Sequence, residues 1–282
     1  MAAKGEKMVY NEKPWRAKMH AVVLNRYKRG EKCKMTLISA NAPLPLQGTY
    51  NTRDLGGYPA GPGAVCAGRF LRSDQPAGLG EGDLEALYRY GVRLSIDLRS
   101  GEECRRAPSS LRGYQDIRCE EVPLLDNLQS SLAAGETAGL PDSMGALYVS
   151  LLRESQPSLA RALSLMAGCR EGCVLYHCTA GKDRTGVLSM LLLSLAGVEE
   201  AVIVADYAAS EANMAPFFAK QRAALEKLAP GGIPEGAFSS APENMEMALA
   251  ELRRQGGAEE YLRTIGLTGG EIGALRARLL AE

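Results

Sequence analysis

His177-Cys178-Thr179-Ala180-Gly181-Lys182-Asp183-Arg184-Thr185-Gly186 lies between two stretches of opposite character. Before it, Cys173-Val174-Leu175-Tyr176 is short, apolar and partly β-branched, which suits a buried strand. After it, Thr185 to Ala196 is an apolar run that reads as a helix stopped by Gly197. Strand, tight loop and helix in that order make an anion cradle. Successive loop N–H groups converge, and the helix N-terminus adds about half a positive charge. Gly181 supplies the backbone freedom such curvature needs.

The side chains of this loop add chemistry to the cradle. Thiols at a helix N-terminus beside cationic groups lose their proton more readily, so Cys178 is placed as a thiolate nucleophile under the phosphorus of a bound phosphate ester. Arg184, six positions on, has a planar fork that takes two phosphoryl oxygens at once, and those oxygens carry the transition-state charge. The expected phosphate-binding set is therefore Thr179, Ala180, Gly181, Lys182, Asp183 and Arg184. His177 alternates to the opposite face of the strand from Cys178, so it is expected to brace the loop rather than act as a base. Thr185 is placed to hydrogen-bond the thiolate or help release product.

With these residues in place, the sequence resembles the cysteine-dependent tyrosine and dual-specificity phosphatases. It is most similar to their bacterial atypical branch, whose loop reads HCxAGKDRTG and whose members act on phosphotyrosine and often on phosphoinositides. The resemblance runs from about Leu46 onward. It includes Asn51-Thr52-Arg53-Asp54-Leu55-Gly56-Gly57-Tyr58, Phe70-Leu71-Arg72-Ser73, Ile96-Asp97-Leu98-Arg99-Ser100-Gly101-Glu102 and Val202-Ile203-Val204-Ala205-Asp206-Tyr207. It implies a protein-tyrosine-phosphatase-like fold and hydrolysis through a phosphocysteine, with no cofactor and no metal. The implied substrates are phosphotyrosine, phosphoserine or phosphothreonine proteins, or phosphoinositides.

Leaving-group protonation requires a carboxylic acid near the ester oxygen, and three aspartates compete. Asp183 lies inside the loop, where a phosphate dianion and a thiolate favour its protonated form. Asp97 ends a buried strand, beside the place where a parallel sheet puts its ligand, and the atypical branch makes it the second candidate. Asp126 occupies the position of the mobile-loop acid of the eukaryotic-type enzymes. Lys182 bears on substrate choice: a second loop cation suits multiply phosphorylated headgroups, or else helps to hold a single phosphate.

The rest of the chain is consistent with an ordinary enzyme. Its 282 residues, 46% hydrophobic, suffice for a sizeable core. No run reaches the roughly 18–20 apolar residues of a membrane span. Residues 1–10 carry no apolar signal-peptide core, and a cytoplasmic location with reduced thiols is the simplest expectation. Seven cysteines and only two histidines give no zinc-ligand spacing. Charge is uneven: residues 1–35 hold ten Lys/Arg against three Glu, and the remainder, 23 basic and 30 acidic, cancels that surplus. This arm, with Trp15 and Arg26-Tyr27-Lys28-Arg29, reads as a contact for an anionic membrane surface or a phosphorylated partner. Alternatively it is a solvated arm, or Ala21-Val22-Val23-Leu24 adds a strand to the sheet edge. Nothing in the pattern indicates a nucleic-acid partner.

Strands are expected at 67–72, 92–98 and 117–124, with a helix at 82–90 between the first two. A long loop or lid follows at 126–145, with a Pro230-Gly231-Gly232-Ile233-Pro234 break further on. Helices are expected at 146–154, 157–167, 185–196, 198–210, 216–228, 242–254, 258–265 and 270–281. The predicted class is α/β: a mostly parallel central sheet flanked by helices, with a helical C-terminal part. The expected division is a basic N-terminal arm over 1–45 and a phosphatase domain over 46–282. Two other readings stay open: a module that captures phosphorylated ligands without turnover, and a sulfurtransferase or arsenate reductase, which also hold an anion over a reactive cysteine.

Overall fold

The computed structural model describes residues 42–124, 143–228 and 238–280, together with 20–23 and 36–39; these last two segments and 223–228 are described as backbone only. Trp15, the basic cluster at 26–29, Asp126, nearly all of the 126–145 stretch and the 230–234 break lie outside these residues.

The strands are β1 (His20–Val23), β2 (Thr36–Ser39), β3 (Arg53–Asp54), β4 (Pro59–Ala60), β5 (Gly63–Ala64), β6 (Phe70–Ser73), β7 (Val92–Asp97), β8 (Arg118–Glu121) and β9 (Cys173–His177). The helices are α1 (Glu81–Tyr90), α2 (Gly101–Arg106), α3 (Met144–Glu154), α4 (Gln156–Gly168), α5 (Asp183–Leu195), α6 (Glu200–Leu228), α7 (Pro242–Arg254), α8 (Gly257–Thr264) and α9 (Gly269–Leu279).

The central sheet runs β3-β6-β9-β7-β8, parallel except for β3 at one edge. Strand β9 sits in the middle with all five residues buried, as a strand covered on both faces must be. Its alternation feeds two cores. Val174 and Tyr176 face the larger helical layer with Leu151, Leu163 and Leu191, while Cys173 and Leu175 face a smaller layer with Leu87 and Leu111. Helix α5 is buried on all sides from Arg184 to Leu193, which makes it the axis of the helical layer.

Register fixes what meets the loop. Ser73, His177, Asp97 and Glu121 lie in one row at the carboxyl ends of the parallel strands. The segments leaving β6, β9 and β7 therefore emerge side by side, at the edge where open α/β sheets bind ligands.

Three expectations change. Strand β1 pairs antiparallel with β2 in a separate two-stranded sheet and does not extend the central one. The helices expected at 198–210 and 216–228 are one, α6, with Pro216 inside it. A proline removes one backbone donor, and here buried Met214 and Phe218 on either side keep the helix packed through that gap. Helix α2, for which no helix was expected, begins at a reciprocal cap in which Ser100 and Glu103 exchange side-chain and backbone bonds. Among the described residues no helix is long and apolar enough to cross a membrane.

Beneath the loop, Arg53, Arg72 and Asp206 are buried together. Arg53 Nε donates to Asp206 Oδ1 at 3.1 Å, Arg72 Nη1 donates to Oδ2, and Tyr58 donates to Oδ1 at 2.8 Å. Burial pushes the Asp206 carboxyl up, but the two guanidiniums outweigh it and hold it below its ordinary value. Asp206→Ala leaves two buried cations unpaired, so it should cost about 3–5 kcal/mol in urea denaturation. A loss under about 1 kcal/mol would show that the cluster does not hold the fold.

Candidate active site

Cys178 follows β9 directly, and α5 starts at Asp183. Lys182 precedes α5 without a side-chain capping bond, so the first-turn N–H groups receive no side-chain cap from that position. The loop between them is shaped by its carbonyls. Gln75 N donates to Thr179 O at 3.1 Å, and Asn51 Nδ2 donates to Ala180 O at 3.0 Å and to Gly181 O at 3.2 Å. Arg72 Nη2 also donates to Gly181 O, at 2.7 Å. In a trans peptide C=O and N–H point opposite ways, so carbonyls tied outward at 179–181 turn the N–H groups of Ala180, Gly181 and Lys182 inward. Gly181 has φ +64°, and a Cβ there would lie 2.5 Å from the backbone of Ser73 and Asp74. Only glycine permits the loop to press this closely on β6.

Arg184, almost wholly buried, is held by Glu103. Nη1 donates to Oε2 at 2.7 Å and Nη2 to Oε1 at 2.9 Å, a bidentate pair. Glu103 Oε1 also accepts from the Thr179 hydroxyl. Burial raises the Glu103 carboxyl, but the bonds and charge of Arg184 dominate and bring it down to about 2. Burial lowers the Arg184 guanidinium, and Glu103 with nearby Cys178 outweighs this, so its net shift is upward. Glu103 occupies the end of the guanidinium and leaves Nε–H for an anion approaching from the side. Cys178 itself is buried at the foot of the loop.

The sequence-predicted residues separate into two groups. Cys178, Thr179 to Lys182, Asp183 and Arg184 come together as one loop and helix start. Asp97 lies one strand away and is committed to Arg99: Arg99 Nε donates to Oδ1 at 2.9 Å, Nη2 to Oδ2 at 2.7 Å, and the Arg99 backbone N–H to Oδ1 at 3.1 Å. Burial pushes the Asp97 carboxyl up, but these bonds and the charges around it leave it below its usual range. Arg99 continues to Gln75 Oε1 at 3.0 Å and Ala107 O at 2.9 Å, so Asp97 anchors the wall of the site.

His177 is fully buried, its Nδ1 donating to Cys178 O at 3.3 Å, with Nε2 3.6 Å from Asp97. Burial brings the imidazole down to about 4, so it is neutral near pH 7, as a brace should be. Thr185 Oγ1 is buried and has no hydrogen-bond partner among the described residues. Lys182 is also buried, and Nζ donates to Ser239 O at 2.8 Å while lying 3.5 Å from Asp183 Oδ1.

Sequence reasoning missed Glu103 and the hydroxyl that meets Asp183. The first had a partial signal: Ser100-x-x-Glu103 soon after a strand is a helix-start pattern that puts Glu103 on a first turn, without naming Arg184 as its partner. Tyr148 Oη donates to Asp183 Oδ1 at 2.5 Å from a helix with no motif of its own.

Glu103→Gln should lower kcat/KM on an aryl phosphate about 10²-fold, because a guanidinium freed from its partner loses its aim. It should also change the pH dependence of stability. The folded value of Glu103 lies below its reference of 4.5, so its stabilisation is complete above that pH and fades as pH falls towards about 2. The wild-type advantage in melting temperature over the variant should shrink across that window. An advantage that grew there, or unchanged kinetics, would remove Glu103 from the site.

The whole described catalytic region falls within one family match: residues 44–281 fit the model of the Tyrosine phosphatase family. A tyrosine-protein phosphatase from Nostoc commune is 36% identical over 225 residues, covering 77% of this chain and 76% of that protein. The triple specificity protein phosphatase PtpB of Mycobacterium tuberculosis is 26% identical over 275 residues, 83% of this chain and 98% of that one. A crystal structure of P. aeruginosa TpbA aligns with 74% of this chain and 84% of its own at 19% identity, with a TM-score of 0.27, a likeness that carries no weight. With the family model spanning most of its length, the chain belongs to the tyrosine phosphatase family.

Proposed function

We propose that the protein hydrolyses phosphotyrosine on proteins through a phosphocysteine intermediate, with Asp183 as the general acid. The observation that carries this reading is the loop itself: three carbonyls tied outward at 179–181 and Arg184 aimed by Glu103, above a buried Cys178. In the first step Cys178 Sγ attacks phosphorus, an S–P bond forms and the P–O bond to tyrosine breaks. The departing oxygen takes the proton of Asp183. In the second step Asp183, now a carboxylate, draws a proton from water, water oxygen attacks phosphorus, and the S–P bond breaks to release phosphate and the thiolate. Inward N–H groups and Arg184 hold the three equatorial oxygens throughout, where the transition-state charge gathers. Thr185, whose hydroxyl one residue beyond Arg184 has no partner among the described residues, is available to hydrogen-bond the leaving thiolate.

Asp183 is favoured over Asp97 by their surroundings. An acid must carry a proton, and Asp97 is pinned by a guanidinium that stabilises its charged form. Asp126 lies outside the described residues. A phosphoinositide substrate draws its support from Lys182 as a second loop cation. Lys182 is buried with Nζ held by the Ser239 carbonyl and so is not presented on the surface to a headgroup, which supports the protein substrate. Turnover also separates this reading from a ligand-capture module, and para-nitrophenyl phosphate measures it directly.

Cys178→Ser should keep vanadate binding and retain less than about a hundredth of wild-type turnover, since a covalent nucleophile is worth several orders of magnitude. Higher residual turnover would overturn the phosphocysteine. Asp183→Asn should cost about 10²-fold more on an alkyl phosphate than on para-nitrophenyl phosphate, because only the poor leaving group needs the proton. Asp97→Asn should reduce both alike. The reverse pattern would make Asp97 the acid.

A further inference from the structure

Asp183 does not stand by itself in the loop. Tyr148, on α3, is fully buried and donates to its Oδ1 at 2.5 Å. Tyr207, on α6, pairs its hydroxyl with that of Tyr148 at 2.8 Å, and the rings meet edge to face with centroids 5.7 Å apart. Behind Tyr207 stands Asn244 on α7, whose side chain is near enough to the Tyr207 hydroxyl to favour its ionised form. Asn244 Oδ1 accepts from the Gly145 backbone N–H at 3.0 Å.

The direction of this chain is set from the Asn244 end. Because Gly145 N–H must donate, the Asn244 oxygen is the acceptor and its NH₂ is the group left to act on the Tyr207 hydroxyl. Tyr207, accepting there, gives its single proton to Tyr148, and Tyr148 gives its own to Asp183 Oδ1. Every hydroxyl proton runs towards Asp183 Oδ1. Burial raises both phenols, Tyr148 well above its ordinary value and Tyr207 to about 12, so both remain neutral donors near pH 7. A phenylalanine would fill either position without desolvating a hydroxyl. Two buried hydroxyls in series, ending on the one loop carboxyl, therefore point to work done on that carboxyl.

We propose that Tyr148, oriented by Tyr207, is a positioning residue for the acid: it reserves Asp183 Oδ1 as an acceptor and so confines the transferable proton to Oδ2. The inference rests on the reading of Asp183 as the acid. A carboxyl free to rotate presents the proton on either oxygen and in several directions. Tied through Oδ1, it presents one oxygen in one direction. As the proton leaves, Oδ1 already has a donor for its growing charge, with Lys182 Nζ 3.5 Å from the same atom.

The test compares Tyr148→Phe, Tyr207→Phe, Asp183→Asn and the double variant Tyr148→Phe/Asp183→Asn on para-nitrophenyl phosphate and on an alkyl phosphate. Tyr148→Phe should lower kcat for the alkyl ester about tenfold and for para-nitrophenyl phosphate less than about twofold, with KM unchanged for both. Tyr207→Phe should show the same selectivity more weakly, and in the Asp183→Asn background Tyr148→Phe should add no selective loss. If Asp183→Asn is selective for the alkyl ester and Tyr148→Phe harms both substrates equally, the positioning role is overturned while the acid stands. If Asp183→Asn is itself unselective, the acid assignment fails and the positioning role with it. Should Tyr148→Phe not fold, Tyr207→Phe breaks the same chain one step back and carries the same criterion.

Discussion

Asp206 is a single carboxylate shared by two buried guanidiniums, and the shape of the loop from Cys178 to Arg184 depends on it. Arg72 bridges the two: one nitrogen is held by Asp206 and another reaches Gly181 O at 2.7 Å. Arg53 turns from the same carboxylate to Asn51, whose amide holds the Ala180 and Gly181 carbonyls. The outward pull on the loop is thus transmitted from α6 through two arginines on the neighbouring strands. A buried trio of this kind carries one uncompensated positive charge, which is costly in an apolar core and useful below an anion site. Replacing it with apolar side chains could preserve packing and would lose both the pull and the field.

Arg184 and Glu103 solve a different problem at the other side of the loop. An arginine with free rotamers must be ordered each time it meets a phosphoryl group. One already clamped at its far end binds without that cost, because its side-facing N–H is pre-aimed. The clamp offsets part of the arginine's charge, so more of the attraction for an anion falls on the backbone N–H groups and the start of α5. This division explains why the loop is built with such attention to carbonyl direction. Thr179 joins the two devices, since its hydroxyl reaches Glu103 while its carbonyl is held by Gln75.

The layout was legible wherever chemistry and periodicity coincide in one short window. The strand before Cys178 and the helix after it could be read from alternation and apolar runs, as could the mostly parallel character of the sheet. What escaped were relations between distant segments. Glu103 reaches Arg184 across 81 positions and Tyr148 reaches Asp183 across 35, and no local pattern encodes either pairing. The pairing of Asp97 with Arg99 escaped for a different reason: a position at a strand end says nothing of a neighbouring arginine folding back upon it. Pro216 suggested a break between two helices because local propensity cannot weigh the burial on either side of it.

On the proposed reading of Asp183 as the acid, the two aspartates are one residue type given two tasks by their donors. Asp97 meets a guanidinium on both oxygens, so neither oxygen is left to hold a proton and the group behaves as a fixed negative anchor for Arg99, Gln75 and Ala107. The hydrogen bond on Asp183 comes from a neutral phenol and falls on Oδ1, with the Lys182 ammonium 3.5 Å from that same oxygen. Both contacts fall on one oxygen, which leaves the second for proton transfer. Distinct environments for paired carboxyls are how acid and anchor are told apart in a site that holds both. Here the distinction rests on Arg99, just past the end of β7, and on Tyr148 on a helix.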